Sequence, residues 1–204
     1  MQVKKSTLIV KRIFDIVMAI FGLLVLSPIF LVISLAIKID SKGPVFFKQI
    51  RVGLEGKEFK IFKFRTMVTD AEKKGMQITV GKDSRITKVG AFIRKCKIDE
   101  IPQLINVLVG EMSFVGPRPE VPKYVAMYSE SDREILKVRP GITDLASIEY
   151  RDENEVLGKS KNPEKTYIEE VMPAKIVLNQ EYISKCSVGY DIFLILKTIK
   201  ICFT

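Results

Sequence analysis

Residues 13–37 read IFDIVMAIFGLLVLSPIFLVISLAI, and this stretch decides the fold class because nearly every side chain in it is apolar. Its only strongly polar side chains are Asp15, Ser27 and Ser34. About 20 apolar residues suffice to span a bilayer, so the stretch is long enough for a membrane segment. It is too long for the core of a signal peptide, and no small-residue cleavage site follows it.

Two features of this segment favour a re-entrant helix over a simple span. Pro28, which follows Ser27 in the middle, has no N–H, so the carbonyl four residues earlier loses its partner and the helix should kink. Ser27 or water can satisfy that carbonyl. The flanking residues are basic on both sides: Lys4, Lys5, Lys11 and Arg12 before, and Lys38, Lys42, Lys48 and Arg51 after. Because basic flanks stay on the cytoplasmic side, we expect a monotopic hairpin that enters one leaflet and returns. A kinked span and a buried core helix are the alternatives.

The composition of the 204-residue chain narrows its chemistry. A net charge of +9 favours anionic partners, whether nucleic acid, phosphate substrates or acidic lipid headgroups. The chain has no histidine, which excludes Ser-His-Asp triads, histidine metal ligands and histidine acid–base catalysis. Its three cysteines, Cys96, Cys186 and Cys202, form no CxxC motif, which argues against a disulfide framework or a zinc site and fits a reducing cytosol.

The rest of the chain, residues 41–204, reads as an α+β domain that is mostly helical. Residues 45–51 and 58–64 alternate as strands around a turn at 53–56, which predicts a small β-hairpin. Helical patterns are predicted at 69–75, 83–95, 120–137, 173–186 and 188–203. The last of these is amphipathic in the manner of an interfacial helix. Tight turns are predicted at 116–119 and 139–143, and a polar surface loop at 152–164.

Residues 94–120, RKCKIDEIPQLINVLVGEMSFVGPRPE, carry the candidate chemistry. The adjacent acids Asp99 and Glu100 stand at the start of an apolar helical pattern that should stop at Gly110. This predicts Asp99 as the N-cap and Glu100 as the first helical residue. A carboxylate at a helix N-terminus should stay ionised, and among cations it could attack phosphorus. An ordinary capped helix is the alternative. The basic residues just upstream are Arg94, Lys95 and Lys97.

Cations recur beside the predicted turns and helix ends. The candidates for contacting a phosphate are Lys63, Arg65, Arg94, Arg118 and Arg139. Arginine held near a turn suits bidentate phosphate recognition, whereas a solvated basic surface that grips anionic lipid is the alternative for each. The sequence contains no Walker motif and no GxGxxG, so a nucleotide should not be held by a glycine-rich loop of those types.

Five ordered motifs, together with the Ser27–Pro28 segment, resemble the bacterial sugar transferase family, the small monotopic phosphoglycosyl transferases. The motifs are KFRTM at 63–67, IRKCKIDEIPQL at 93–104, SFVGPRP at 113–119, RPGIT at 139–143 and YDIFLILKTI at 190–199. The resemblance implies transfer of a sugar-1-phosphate from a UDP-sugar to polyprenyl (undecaprenyl) phosphate with release of UMP. It places this first membrane step of glycoconjugate assembly at the cytoplasmic face of the bacterial cell membrane.

The resemblance also implies residue roles and a cofactor. Asp99 would carry a covalent phosphosugar, Glu100 would be its partner, and both are candidates to hold Mg²⁺. Arg94 occupies the family's phosphate-contacting position. After RPGIT the chain departs from the commoner Gly-Leu and following Gln, reading DLASIEY at 144–150 before a polar stretch to 163. This departure leaves the identity of the sugar open.

Two other functional classes compete with the transferase. A non-catalytic basic adaptor on the membrane surface would explain the anchor and the cations, but it has no use for two adjacent carboxylates. A nucleic-acid binder would explain the charge but not the apolar segment. We therefore expect a membrane anchor at 1–40 and a cytoplasmic catalytic domain at 41–204. The expected partners are a UDP-sugar, polyprenyl phosphate and membrane lipid, without nucleic acid, and a homo-oligomer is left open.

Overall fold

The computed structural model describes residues 3–69, 83–151 and 153–203. Within these ranges the chain is mostly helical with two small sheets, which confirms the α+β expectation. The helices are α1 (Lys5–Asp40), α2 (Lys88–Lys95), α3 (Gln103–Val109), α4 (Pro122–Val125), α5 (Leu145–Glu149), α6 (Glu153–Lys159), α7 (Pro163–Thr166), α8 (Met172–Lys185) and α9 (Val188–Phe203). The strands are β1 (Phe46–Val52), β2 (Glu58–Phe64), β3 (Ser113–Val115) and β4 (Gly141–Thr143). A π-helical turn, Tyr167–Val171, joins α7 to α8.

The apolar segment forms α1, which among the described residues is the one helix long and apolar enough to cross a membrane. The helix continues through Pro28. The Ser27 hydroxyl donates to the Leu24 carbonyl at 2.8 Å, and this is the carbonyl that Pro28 leaves without its usual N–H donor. Most of the apolar side chains of α1 are exposed, so the protein associates with a membrane through this helix.

Both ends of α1 pack against the rest of the protein. Near its start, Lys11 forms a buried ion pair with Asp191 of α9, and Asp15 accepts a hydrogen bond at 3.0 Å from a backbone N–H of β3. Near its end, Ile37 packs in a buried cluster with Phe64 of β2. The anchor is therefore attached to one body of protein at both ends, while the division into domains at residue 40 stays a prediction.

The predicted hairpin is confirmed within one residue. Strands β1 and β2 pair antiparallel from Phe46↔Phe64 to Val52↔Glu58. The buried side chain of Asn106 joins α3 to this hairpin. Its amide oxygen accepts from the Phe62 N–H at 2.9 Å, and its amide nitrogen donates to the Lys60 carbonyl at 2.8 Å. These bonds fix α3 against β2, and the end of β2 at Phe64 lies beside the acid pair.

The predicted turn at 139–143 is wrong in part, because residues 141–143 form β4, which pairs parallel with β3. Two glycines allow these two segments of backbone to approach each other closely. A Cβ on Gly116 would lie 2.3 Å from the Arg139 carbonyl oxygen, and one on Gly141 would lie 2.1 Å from the Gly116 nitrogen. No larger residue fits this crossing without displacing backbone.

Helix boundaries differ from the predicted ones where local caps decide them. Helix α2 begins at Lys88, five residues later than predicted, because the Thr87 hydroxyl accepts from the Gly90 N–H at 3.0 Å and caps it. The single helix predicted at 120–137 is replaced by two short helices, α4 and a 3-10 helix at Asp132–Lys137. Between these two, the Ser129 side chain bonds to Asp132, an arrangement that competes with helix.

The polar stretch at 152–164 was predicted as a loop and instead contains α6 and the start of α7. Asn162 caps α7 by accepting from the Lys165 N–H at 3.1 Å, and Pro163 occupies the first helical position. The predicted helices at the C-terminal end are confirmed as α8 and α9. The short helix predicted at 69–75 lies almost entirely outside the described residues.

A buried polar network joins three of the helices. The Tyr182 hydroxyl of α8 lies 2.8 Å from the Asp191 carboxylate of α9 and 3.1 Å from the Val115 carbonyl of β3. Asp191 in turn pairs with Lys11 of α1. Since buried charges are tolerated only when paired and hydrogen-bonded, this network fixes the N-terminal half of α1 relative to α8 and α9.

Candidate active site

The acid pair lies in the turn between α2 and α3, so the prediction that Asp99 caps α3 is wrong. Helix α3 begins at Gln103, and its N-cap position is Pro102, which makes no side-chain capping bond. Pro102 disfavours helical conformation at the residue before it, which moves the start of the helix past the acid pair. The turn is closed by the Gln103 N–H, which donates to the Glu100 carbonyl at 2.9 Å.

Glu100 is held by two cations. Lys63 Nζ lies 2.7 Å from Glu100 Oε1, and Arg118 Nη2 lies 2.6 Å from the same oxygen, while Arg118 Nη1 lies 3.3 Å from Oε2. Burial alone would raise the pKa of Glu100, but the charges and hydrogen bonds of Arg118 and Lys63 outweigh it and hold that pKa well below its usual value. Glu100 is therefore ionised and fixed in place.

Asp99 has the opposite electrostatic balance. Burial, and then the neighbouring Glu100 charge, raise the pKa of the Asp99 carboxyl, while Lys63 and Arg94 lower it by less. The carbonyl of Asp99 accepts from the Phe64 N–H at 2.9 Å, which fixes its backbone against the end of β2. Asp99 does not lie at the helix N-terminus that was expected to stabilise its charge, and its raised pKa makes the carboxylate more basic than that of an ordinary aspartate. Two neighbouring carboxyl groups with opposite shifts are typical of a catalytic site.

A cavity of about 1110 Å³ opens beside this pair. It is lined by five of the sequence-predicted residues: Lys63, Arg94, Asp99, Glu100 and Arg118. Arg94 lies in the last turn of α2, where its Nε donates to the Thr66 hydroxyl at 2.9 Å. Among the described residues its two terminal NH₂ groups have no hydrogen-bond partner, so they are available to a ligand in the cavity.

Two predicted phosphate ligands do not line this cavity. Arg65 is 4% exposed and donates to the carbonyls of Ser41 and Lys42, both at 2.7 Å, where it closes the C-terminal end of α1. Arg139 donates through Nε to the Gly110 carbonyl at 2.9 Å, at the end of α3. Both guanidinium groups therefore bind the carbonyl ends of helices, where cations are favoured. In these positions the two side chains stabilise the fold, and their role as phosphate ligands stays a prediction that the cavity does not support.

One wall of the cavity is apolar. It is made by side chains of α1 and α9, namely Met18, Phe21, Leu26, Ile195 and Ile199. Gly22 of α1 lies so close to α3 that a Cβ there would be 3.1 Å from Leu104 Cδ1. The membrane helix is therefore part of the site itself, and its exposed apolar face is continuous with the cavity wall.

A second part of the cavity lining is polar, and its side chains were not predicted from the sequence as site residues. The Tyr167 hydroxyl donates to Glu120, and Arg51 Nη1 lies 3.4 Å from Glu120 Oε1. Nearby, Lys175 Nζ lies 2.8 Å from Glu153 Oε2. All five side chains line the cavity. They come from distant parts of the chain without a shared motif, so only the folded structure brings them together.

The residues present fit a Mg²⁺ ion that a phosphate ligand helps to bind. Among the described residues, no three Asp, Glu, Cys or His side chains are grouped closely enough to hold a metal by themselves. Glu100 is already bonded to two cations, which leaves Asp99 as the available carboxylate. Since Mg²⁺ is commonly held by one or two carboxylates together with substrate phosphates and water, this set is sufficient for it.

Comparison with known proteins gives consistent matches along the chain. The sequence model of a family described as bacterial sugar transferase matches residues 6–204. UDP-glucose:undecaprenyl-phosphate glucose-1-phosphate transferase of Escherichia coli (strain K12) is 39% identical over 199 residues, which cover 94% of this chain and 39% of that protein. UDP-N-acetylgalactosamine-undecaprenyl-phosphate N-acetylgalactosaminephosphotransferase of Aeromonas hydrophila is 38% identical over 201 residues, covering 96% and 44%. Exopolysaccharide production protein PSS of Rhizobium leguminosarum bv. phaseoli is 39% identical over 199 residues, covering 94% of both chains. The chain thus spans about two fifths of the first two relatives.

Proposed function

The chain belongs to the bacterial sugar transferase family, and we propose that it transfers a sugar-1-phosphate from a UDP-sugar to undecaprenyl phosphate, releasing UMP. The observation that carries this proposal is the cavity, which has a basic carboxylate among cations on one side and an apolar wall continuous with the membrane helix on the other. A UDP-sugar donor needs the charged surface, a lipid acceptor needs the apolar one, and the transfer requires both surfaces in one site. A lipid-binding adaptor would need only the second.

The proposed chemistry uses Asp99 as the nucleophile in two displacements. A carboxylate oxygen of Asp99 attacks the phosphorus that carries the sugar, and the bond from that phosphorus to the bridging oxygen breaks, so that UMP leaves with both electrons. A phosphate oxygen of the lipid then attacks the same phosphorus, the bond to Asp99 breaks, and the free carboxylate returns. A carboxylate nucleophile needs no general base, which suits a chain without histidine.

The surrounding cations reduce the repulsion between the carboxylate and the phosphates. The free terminal groups of Arg94 can bind a diphosphate oxygen pair. Glu100 acts as a positioning residue, because it holds Lys63 and Arg118 at the cavity wall. A Mg²⁺ ion held by Asp99 and the donor phosphates would add charge screening and stabilise the departing UMP.

The polar part of the cavity lining around Glu120 and Glu153 is proposed to receive the sugar of the donor. Glu120, Tyr167, Glu153 and Lys175 offer hydroxyl-binding groups there, and a site built to hydrogen-bond hydroxyls discriminates strongly between substrates. Glu153 also lies in the stretch that departs from the family pattern. A panel of UDP-sugars assayed for UMP release identifies the preferred sugar, and replacing Glu153 with Gln should change the order of preference.

The function is tested by exchange of labelled UMP into the UDP-sugar, a half-reaction that requires only the covalent step. The wild type should catalyse exchange, and Asp99→Asn should abolish both exchange and overall transfer. Asp132→Asn, a matched change at a partly exposed aspartate outside the cavity, should leave both rates unchanged. Wild-type exchange rates in Asp99→Asn would move the covalent role to Glu100. No UMP release from any UDP-sugar in the wild type would favour the adaptor.

We further propose that α1 is re-entrant and that both of its flanks lie at the cytoplasmic face of the bacterial cell membrane. The support is that both ends of α1 contact the same body of protein and that both flanks are basic. Cysteines placed at the exposed positions Lys5 and Lys42, in a background without native cysteines, should resist a membrane-impermeant maleimide added to intact cells. Labelling of one position but not the other would establish a full span.

A further inference from the structure

The backbone at Lys97 is in the left-handed region, with φ of 57°. Among the described residues, only Glu55, with φ of 56°, shares this feature without being glycine. Residues other than glycine, asparagine and aspartate are uncommon in the left-handed region, because their Cβ atom crowds the following carbonyl oxygen. A lysine in this conformation therefore needs an explanation.

The hydrogen bonds around Lys97 show which residue the backbone favours. Helix α2 ends at Lys95, the Lys97 N–H donates to the Arg94 carbonyl at 3.1 Å, and the Ile98 N–H donates to the Ile93 carbonyl at 3.1 Å. This pair of bonds is the Schellman arrangement at a helix C-terminus, in which the left-handed position is usually glycine. Glycine would thus satisfy the local structure at Lys97 with less strain than lysine does.

The side chain of Lys97 lies at the cavity, where a positive charge can face a phosphate. It is exposed, lines the cavity, and is two residues from Asp99. The ammonium groups of Lys63 and Lys175, which also line the cavity, are both paired with a carboxylate. Within the described part of the chain, the ammonium of Lys97 has no such partner. It is therefore a cation that the fold does not use, placed at the cavity in a strained backbone.

Among the described residues, Lys95 also lines the cavity without a carboxylate partner, but only Lys97 of the two has a left-handed backbone. We propose that Lys97 binds a phosphate group in the cavity, and that this contact is why the chain carries lysine where glycine would be more stable. The proposal rests on the proposed function for the identity of the phosphate, which belongs either to the UDP-sugar or to the lipid acceptor. Both have the same chemistry, a charged phosphate oxygen facing an ammonium.

The test separates stability from binding with a pair of glycine variants. Lys97→Gly and Glu55→Gly remove the same backbone strain, and Glu55 lies in the hairpin turn outside the cavity. Both should unfold thermally at or above the wild-type temperature. Lys97→Gly should lower kcat/KM for transfer about 10-fold, as expected for one hydrogen bond to a charged group, and Glu55→Gly should leave it unchanged. Lys97→Arg should recover most of the loss.

Two further measurements identify the phosphate. Slower UMP exchange without acceptor assigns Lys97 to the donor, and an increased KM for undecaprenyl phosphate with normal exchange assigns it to the acceptor. If Lys97→Gly fails to fold, Lys97→Asn, which tolerates the left-handed region, replaces it. Wild-type kcat/KM for both substrates in the variant overturns the proposal. Binding of UDP by equilibrium dialysis, weaker in Lys97→Gly, would support a phosphate contact even if the wild type transferred no sugar.

Discussion

Replacing Glu100 with Gln should destabilise the protein by about 2–3 kcal/mol. The carboxylate accepts from Lys63 at 2.7 Å and from Arg118 at 2.6 and 3.3 Å. Hydrogen bonds to charged groups contribute about 1.5–3 kcal/mol each, and Gln keeps one acceptor oxygen while its NH₂ group opposes the other cation. The side chains of Lys63 and Arg118 are 18% and 36% exposed, so water replaces part of the loss at Arg118.

The assay is urea unfolding of the protein in lipid nanodiscs, followed by tyrosine fluorescence. A double-mutant cycle with Arg118→Gln isolates the pair, and we expect the two single changes to cost about 1–3 kcal/mol more in sum than the double change. Additive effects, or a loss below about 0.5 kcal/mol for Glu100→Gln, would refute the view that these cations are fixed by Glu100.

The stabilisation by Glu100 also depends on pH. Because its folded pKa lies below the ordinary value of 4.5, its contribution is present above that value and is lost as pH falls toward the folded pKa. The difference in stability between the wild type and Glu100→Gln should therefore be constant near neutral pH and shrink in acid. A difference that grows on acidification would contradict the sign of this shift.

Three other outcomes can be checked. Burial raises the pKa of Asp99, and the attack needs the ionised carboxylate, so the rate of UMP exchange should fall on acidification at a pH above the ordinary value of 3.8. Glu100→Gln removes a neighbouring negative charge and should therefore move this acidic limb of the pH–rate profile to lower pH. Arg94→Lys keeps the charge but loses the planar fork, so kcat/KM for the UDP-sugar should drop about 10-fold or more, while thermal stability should fall by no more than the one hydrogen bond to Thr66. Unaltered kinetics would remove Arg94 from the site. Gly90→Ala places a Cβ 2.1 Å from the Thr66 carbonyl oxygen and should cost about 1–3 kcal/mol in urea unfolding, whereas Gly189→Ala, with open space around it, should be neutral or stabilising.

The sequence was sufficient where structure follows from local periodicity. The hairpin and the helices α8 and α9 were predicted within one residue, because alternating and helical patterns persist over seven or more residues in each. The acid pair and three of the five candidate cations line one cavity for a similar reason, since short motifs preserve the order of residues around a site.

The sequence failed where a distant contact decides the outcome. Strand β4 is three residues long and exists only because Gly116 and Gly141 meet, which no local pattern signals. Arg65 and Arg139 stand beside turns like the cavity cations, but their guanidinium groups turn toward the carbonyl ends of α1 and α3. The polar part of the cavity lining around Glu120 was missed because its members, spread between residues 51 and 175, share no motif.

The ion pair between Lys11 and Asp191 links the position of α1 to the time course of synthesis. The two residues are 180 positions apart, so a ribosome adding about 5–20 residues per second needs roughly 10–40 s to supply the partner. Until Asp191 is made, the charge of Lys11 has no partner there, and a lysine at the end of a membrane helix is favoured at the headgroup layer. Helix α9 thus completes the attachment of α1.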